Sequence, residues 1–68
     1  MTFGERLREL RIAKGFNAKT FYLETKVSAS TLSQYENDIA YPSFSKLAFM
    51  LKKLNVSAEE FFKGVELY

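Results

Sequence analysis

Neither cysteine nor histidine occurs in the 68 residues of this chain. Their absence excludes disulfide staples, thiolate metal sites and histidine acid–base chemistry. There is no apolar run near the roughly 20 residues of a membrane-spanning helix. The opening Met1-Thr2-Phe3-Gly4-Glu5-Arg6 is already amphipathic and does not read as a signal peptide. The expectation is a cytoplasmic module with no cofactor, no metal and no membrane attachment. Charge of one sign is also scarce: ten Lys and Arg against eight Asp and Glu leave a net +2, which permits a nucleic-acid partner without demanding one. Proline occurs once, at Pro42, and glycine three times. No linker, low-complexity segment or internal repeat is present. A chain this short makes one domain at most, and its small core needs tight helix packing or association of subunits.

Aromatic side chains are plentiful by contrast, with seven Phe and four Tyr, and they must supply most of the buried area. Five helix starts can be read from the sequence, and no strand. Thr2 with Glu5 forms a capping box ahead of Phe3, Leu7 and Leu10, and Gly15 stops this basic first helix. Asn17 caps a second helix from Ala18 to about Lys26, carrying Phe21, Tyr22 and Leu23. Only Val27 and Ser28 separate it from a third, for which the Ser28 hydroxyl is the N-cap. After a loop closed by Pro42, Ser43 caps a fourth helix with Phe44, Leu47, Leu51 and Leu54 at the 3.6-residue period. Ser57 with Glu60 makes a second capping box before Phe61 and Phe62, and Gly64 ends the fifth helix. The sequence thus predicts an all-α, compact five-helix bundle over residues 1–64, followed by a short apolar tail, 65–68. Glu59 and Glu60 fall in a first helical turn, where carboxylates favour the helix dipole, so no catalytic constellation exists and an enzyme is not expected.

The third helix separates into two faces at 100° per residue. Leu32 and Tyr35 share one side and suit a core; Ala29, Ser30, Ser33, Gln34 and Asn37 share the other. That outer face is small, polar and uncharged, and it can donate and accept hydrogen bonds as base edges in a major groove require. A short helix, a tight turn and a second helix with such a face describe a helix-turn-helix over about residues 18–37.

The order of residues resembles the Cro/CI-type (xenobiotic-response-element) transcriptional regulators, with their lambda-repressor-like DNA-binding domain. The resemblance runs from about Phe3 to Phe62. It is carried by Phe3-Gly4-Glu5-Arg6-Leu7-Arg8-Glu9-Leu10-Arg11 with Lys14-Gly15-Phe16, by Val27-Ser28, and by Leu32-Ser33-Gln34-Tyr35-Glu36-Asn37. Pro42-Ser43 and Leu54-Asn55-Val56-Ser57-Ala58-Glu59-Glu60-Phe61-Phe62 complete it. It implies a sequence-specific, repressor-like regulator that inserts its third helix into the major groove of an operator on double-stranded DNA. Ala29, Ser30 and Gln34 would then reach bases, with Gln34 suited to adenine N6 and N7 and Ala29 to a thymine methyl. Asn17, Lys19, Ser28, Thr31, Ser33, Asn37 and Tyr41 would contact the backbone. Arg11 and Glu36 would form a partly buried ion pair joining helix 1 to helix 3.

Several positions depart from the family pattern. Ala18 stands where glutamine is usual, Tyr22 where a small alanine is usual, and Lys26 where the turn usually has glycine. The loop Asp38-Ile39-Ala40-Tyr41 has no cation, so a single subunit should grip DNA weakly and with a shallow salt dependence. A homodimer would compensate, with Phe49, Phe62, Leu67 and Tyr68 as candidate contacts. These departures also leave open an antirepressor-like protein-interaction module that keeps the fold and has lost DNA binding.

Overall fold

The computed structural model describes residues 1–66. Five α-helices follow one another: α1 Phe3–Ala13, α2 Ala18–Thr25, α3 Ala29–Glu36, α4 Phe44–Leu54 and α5 Ala58–Phe62. No strand occurs among the described residues, and no helix there is long and apolar enough to cross a membrane. Each helix starts where a side chain can take up a free amide of the first turn. Thr2, Asn17, Ser28, Ser43 and Ser57 are the five N-caps, each accepting from the backbone N–H three residues on. At α1 the box is reciprocal, Glu5 Oε1 accepting from Thr2 N at 2.9 Å. At α5 only the serine half forms, Ser57 Oγ accepting from Glu60 N at 3.0 Å. A reciprocal pair forms instead at α2, where Thr20 Oγ1 accepts from Asn17 N at 2.9 Å.

The core gathers Leu7, Leu10, Phe21, Val27, Leu32, Tyr35, Met50, Leu51, Leu54, Val56 and Phe61. Leu7, Phe21, Met50 and Phe61 are fully buried, each contributing about 1.5–3 kcal/mol of transfer free energy. The period on α4 holds for Leu51 and Leu54, and Leu47 is half-buried, but Phe44 is 87% exposed. Phe44 occupies the first turn of α4, at the rim of a groove towards α5, and the inward side of α4 is completed by Met50 instead. On α2 only Phe21 and Thr25 are buried; Tyr22 and Leu23 face out, at 45% and 59% exposure. Tyr22 therefore lies at the surface of α2 rather than in the core.

Turn chemistry sets the spacing of α2 and α3. Lys26 takes the left-handed conformation that glycine usually fills, φ 62°, its N–H donating to Tyr22 O at 2.7 Å. A lysine there carries strain of about 1–2 kcal/mol. The buried Thr25 hydroxyl helps hold the turn, donating to Phe21 O at 2.7 Å and accepting from Val27 N at 3.2 Å. The described part of the tail is fastened down: Val65 packs against the core, and Glu66 N donates to Met1 O at 3.0 Å.

Asp38, in the loop after α3, ties that helix to the start of α1. Its carboxylate accepts from Thr2 Oγ1 at 2.6 Å and from Gly4 N at 3.0 Å. The Thr2 hydroxyl above all holds its pKa below the ordinary value; partial burial opposes, and the Gly4 N–H and Tyr41 hydroxyl add to the lowering. A depressed folded pKa contributes stability that is complete above the unfolded value and lost as pH falls through the folded one. Chemical unfolding of wild type and Asp38→Asn should therefore differ by a constant amount from about pH 5 to 8. The difference should shrink below about pH 4, near the unfolded carboxylate value.

Gly4 lets α1 approach the end of α3. A Cβ on Gly4 would stand 2.5 Å from Tyr35 O and closer still to Glu36 O, both rigid backbone atoms. Gly4→Ala should thus destabilise by about 1–3 kcal/mol through overpacking, despite alanine's better helix propensity. A rise in the denaturant midpoint would contradict this close approach.

Candidate nucleic-acid interface

Glu36 closes α3 on its inner side and Arg11 lies across from it on α1. Arg11 Nε donates to Glu36 Oε2 at 2.6 Å and Nη2 to Oε1 at 3.3 Å, a two-pronged pair whose side chains are 13% and 8% exposed. The third prong, Nη1, donates to Phe16 O at 2.7 Å. With Leu32 and Tyr35 buried beside it, this pair fixes the rotation of α3 and hence which residues face outward.

The outward residues divide by what their side chains already hold. Ser28 Oγ accepts from Thr31 N at 3.1 Å and lies 3.0 Å from Thr31 Oγ1. Asn37 Nδ2 reaches back to Ser33 O at 2.8 Å and to Ser33 Oγ at 3.4 Å. Asn17 Oδ1 is taken by Thr20 N at 2.8 Å. These groups are ordered by the helix ends and keep only part of their hydrogen-bonding capacity. Ala29, Ser30 and Gln34 are exposed, and no side-chain hydrogen bond engages Ser30 or Gln34 among the described residues. The same arrangement leaves the first amides of α2 and α3, at Ala18, Lys19, Ala29 and Ser30, outside the helical ladder, where an anion can meet them. Lys19 is exposed beside the first pair.

Tyr41 sits differently from the other backbone candidates. Its ring packs edge-on to Phe3 with centroids 5.5 Å apart, and its hydroxyl helps to lower the Asp38 pKa. Its hydroxyl thus already faces the Asp38 carboxylate at the α1 anchor. Of the basic residues on α1, Arg6 is spent internally, Nε donating to Phe61 O at 2.9 Å and Nη2 to Glu60 O at 2.7 Å. Sequence reasoning gave no sign of the Asp38 and Arg6 anchors, because both join segments distant in the chain.

Of the four candidate dimer residues, the two that are described, Phe62 and Phe49, do not share one groove. Phe62 lines an apolar groove of about 330 Å³ with Phe44, Leu47, Ala48, Leu51 and Ala58. Phe49 lies outside that groove, between the ammonium groups of Lys46 and Lys53. Leu67 and Tyr68 fall outside the described residues.

Two short helices joined by a tight turn, with the second locked to α1 and presenting an unengaged polar face, define a helix-turn-helix domain of the kind found in DNA-binding transcription regulators. The chain belongs to the helix-turn-helix domain family, of the Cro/CI (xenobiotic-response-element) type: the family model matches residues 4–67. It is similar to the HTH-type transcriptional activator BcrR of Enterococcus faecalis, with 30% identity over 67 residues. That match takes in 98% of this chain and 33% of the relative, so the chain spans about a third of the relative's length.

Proposed function

We propose that the chain is a sequence-specific transcriptional regulator that lays α3 in the major groove of an operator. The observation that carries this reading is the unengaged face Ala29–Ser30–Gln34, held in place by the Arg11–Glu36 pair. Gln34 offers a donor and an acceptor together for adenine; Ser30, one turn earlier, accepts several bases, and Ala29 suits a thymine methyl. The free amides of α2 and α3, with Lys19 and the remaining capacity of Asn17, Ser28, Thr31, Ser33 and Asn37, position the domain on phosphates. Occupying an operator represses or activates according to where the site lies relative to the promoter. The name of the Enterococcus faecalis relative speaks of activation, and the same docking serves either sign.

Binding by one subunit is weak in this reading, because few cations surround α3. A homodimer supplies the rest. The groove between α4 and α5, with Phe44 standing 87% exposed at its rim and Phe62 within it, is the surface for the second copy. Two bodies of 31 × 24 × 22 Å related by a two-fold axis suit half-sites about 34 Å apart.

The test is selection of duplexes from a random pool, followed by sedimentation of the domain with and without the selected duplex. Enrichment of a two-fold symmetric site, bound by two chains, is expected. A pool that shows no enrichment would instead favour the protein-interaction reading. Recovery of a single half-site bound by one chain would remove the dimer.

A further inference from the structure

We infer that the face shared by the end of α2 and the outer side of α4 docks an acidic segment of a protein partner. Its carboxylates would meet Lys26, Lys46 and Lys53, and an apolar side chain between them would rest on Tyr22 and Phe49. This surface is distinct from the α3 face and does not depend on the DNA-binding reading.

The five side chains fall in two groups on neighbouring elements, linked through Lys46. Lys26 Nζ stands 5.5 Å from the centroid of the Tyr22 ring, while Lys46 and Lys53 Nζ stand 5.8 and 5.4 Å from that of Phe49. Lys46 joins the two halves by donating to Thr25 O, the residue before Lys26, at 3.3 Å. Both rings remain open, Tyr22 at 45% and Phe49 at 40% exposure. Ammonium groups stacked against ring faces are held where a partner can meet them, which lowers the ordering cost of binding.

No carboxylate neutralises these lysines among the described residues, and Lys46 gives only one of its N–H groups to Thr25 O. The ion pairs among the described residues join Met1 with Glu66, Arg6 with Glu9, and Arg11 with Glu36, and none includes a lysine. The C-terminal ends of α2 and α4 each offer roughly half a negative charge, too little to offset three ammonium groups. Lys26 also occupies a left-handed position that glycine fills without strain, and its side chain covers Tyr22, on the side facing this patch.

A protein segment fits better than a duplex. A phosphate backbone would satisfy the lysines but brings nothing apolar to two half-exposed rings. Lys53 also lies seven residues beyond Lys46 along α4, about 10 Å further along the helix axis. A peptide alternating carboxylates with apolar side chains satisfies both demands.

The test uses a synthetic peptide of alternating aspartate and leucine, titrated into the ¹⁵N-labelled domain. Amide shifts are expected to gather on residues 22–26 and 46–53. Affinity should fall about tenfold in Lys46→Glu/Lys53→Glu, as charge reversal against an acidic partner implies, and little in Arg8→Glu/Lys14→Glu, which changes net charge equally. Because Lys46 also bonds to α2, Phe49→Ser/Lys53→Glu serves as a second variant; neither side chain hydrogen-bonds to another helix among the described residues. Equal losses in patch and control variants, shifts scattered or centred on α3, or no binding would overturn the inference. So would weaker binding of random duplex by the patch variants with a reduced salt slope, which would make the face a phosphate contact.

Discussion

Arg11→Met is expected to lower the unfolding free energy by about 3–5 kcal/mol, because it strands a carboxylate in the protein interior. The Glu36 side chain is 8% exposed and takes two bonds from the guanidinium, at 2.6 and 3.3 Å. Methionine restores the aliphatic stem but none of the donors, and it also leaves Phe16 O without the bond it now accepts at 2.7 Å. A domain of this size has a total stability on the order of 5 kcal/mol, so the variant should be largely unfolded near room temperature. The double variant Arg11→Met/Glu36→Leu should recover much of the loss, since desolvation of a buried pair nearly cancels its attraction. Urea titration of the two variants separates a buried tether from a surface pair. A loss below about 1 kcal/mol for Arg11→Met, the range of exposed ion pairs, would contradict the tether.

Gln34→Ala carries the second large effect, and it falls on recognition rather than on folding. The side chain is exposed and engages no neighbour among the described residues, so removal leaves thermal stability almost unchanged. On a selected operator the variant should lose about 1–3 kcal/mol of discrimination at one base pair in each half-site, the usual value of a two-pronged amide–adenine contact. Binding of random duplex, which rests on phosphate contacts, should stay within about twofold of wild type. Competition titrations of selected against substituted duplexes give both quantities. An unchanged base preference would remove Gln34 from the reading face.

Local chemistry was legible in the sequence and distant contacts were not. Thr2, Asn17, Ser28, Ser43 and Ser57 each begin a helix in the structure, because an N-cap requires only a short polar side chain three residues from a free amide. The inward residues of α3 also follow from periodicity alone. Phe44 shows where periodicity stops being informative: at a first turn, the correct face can lack an opposing element. In the sequence Asp38 is only one residue of a loop without cations. Its work comes from its placement after α3, with φ 58°, which brings its carboxylate to Thr2 and Gly4. Nothing within its own segment announces that. The joining of Arg11 to Glu36 likewise has no local signal across 25 residues; it was expected from the family resemblance rather than from spacing.

The same distinction applies to the interface. The hydroxyl and amide groups of Ser28, Thr31, Ser33 and Asn37 all belong to one helix and look equivalent in sequence. The structure ranks them by their existing partners, leaving Ser30 and Gln34 as the polar side chains with nothing to give up on meeting a base edge.

The central claim is that α3 meets bases through its outer face while its inner face stays locked to α1. Amide-shift mapping of the ¹⁵N-labelled domain on a duplex selected from the random pool tests it most directly. The largest shifts are expected at Asn17–Lys19 and at Ala29, Ser30 and Gln34, with Arg11, Leu32 and Glu36 little changed. Shifts confined to α4 and α5, with Ala29–Gln34 undisturbed, would contradict it.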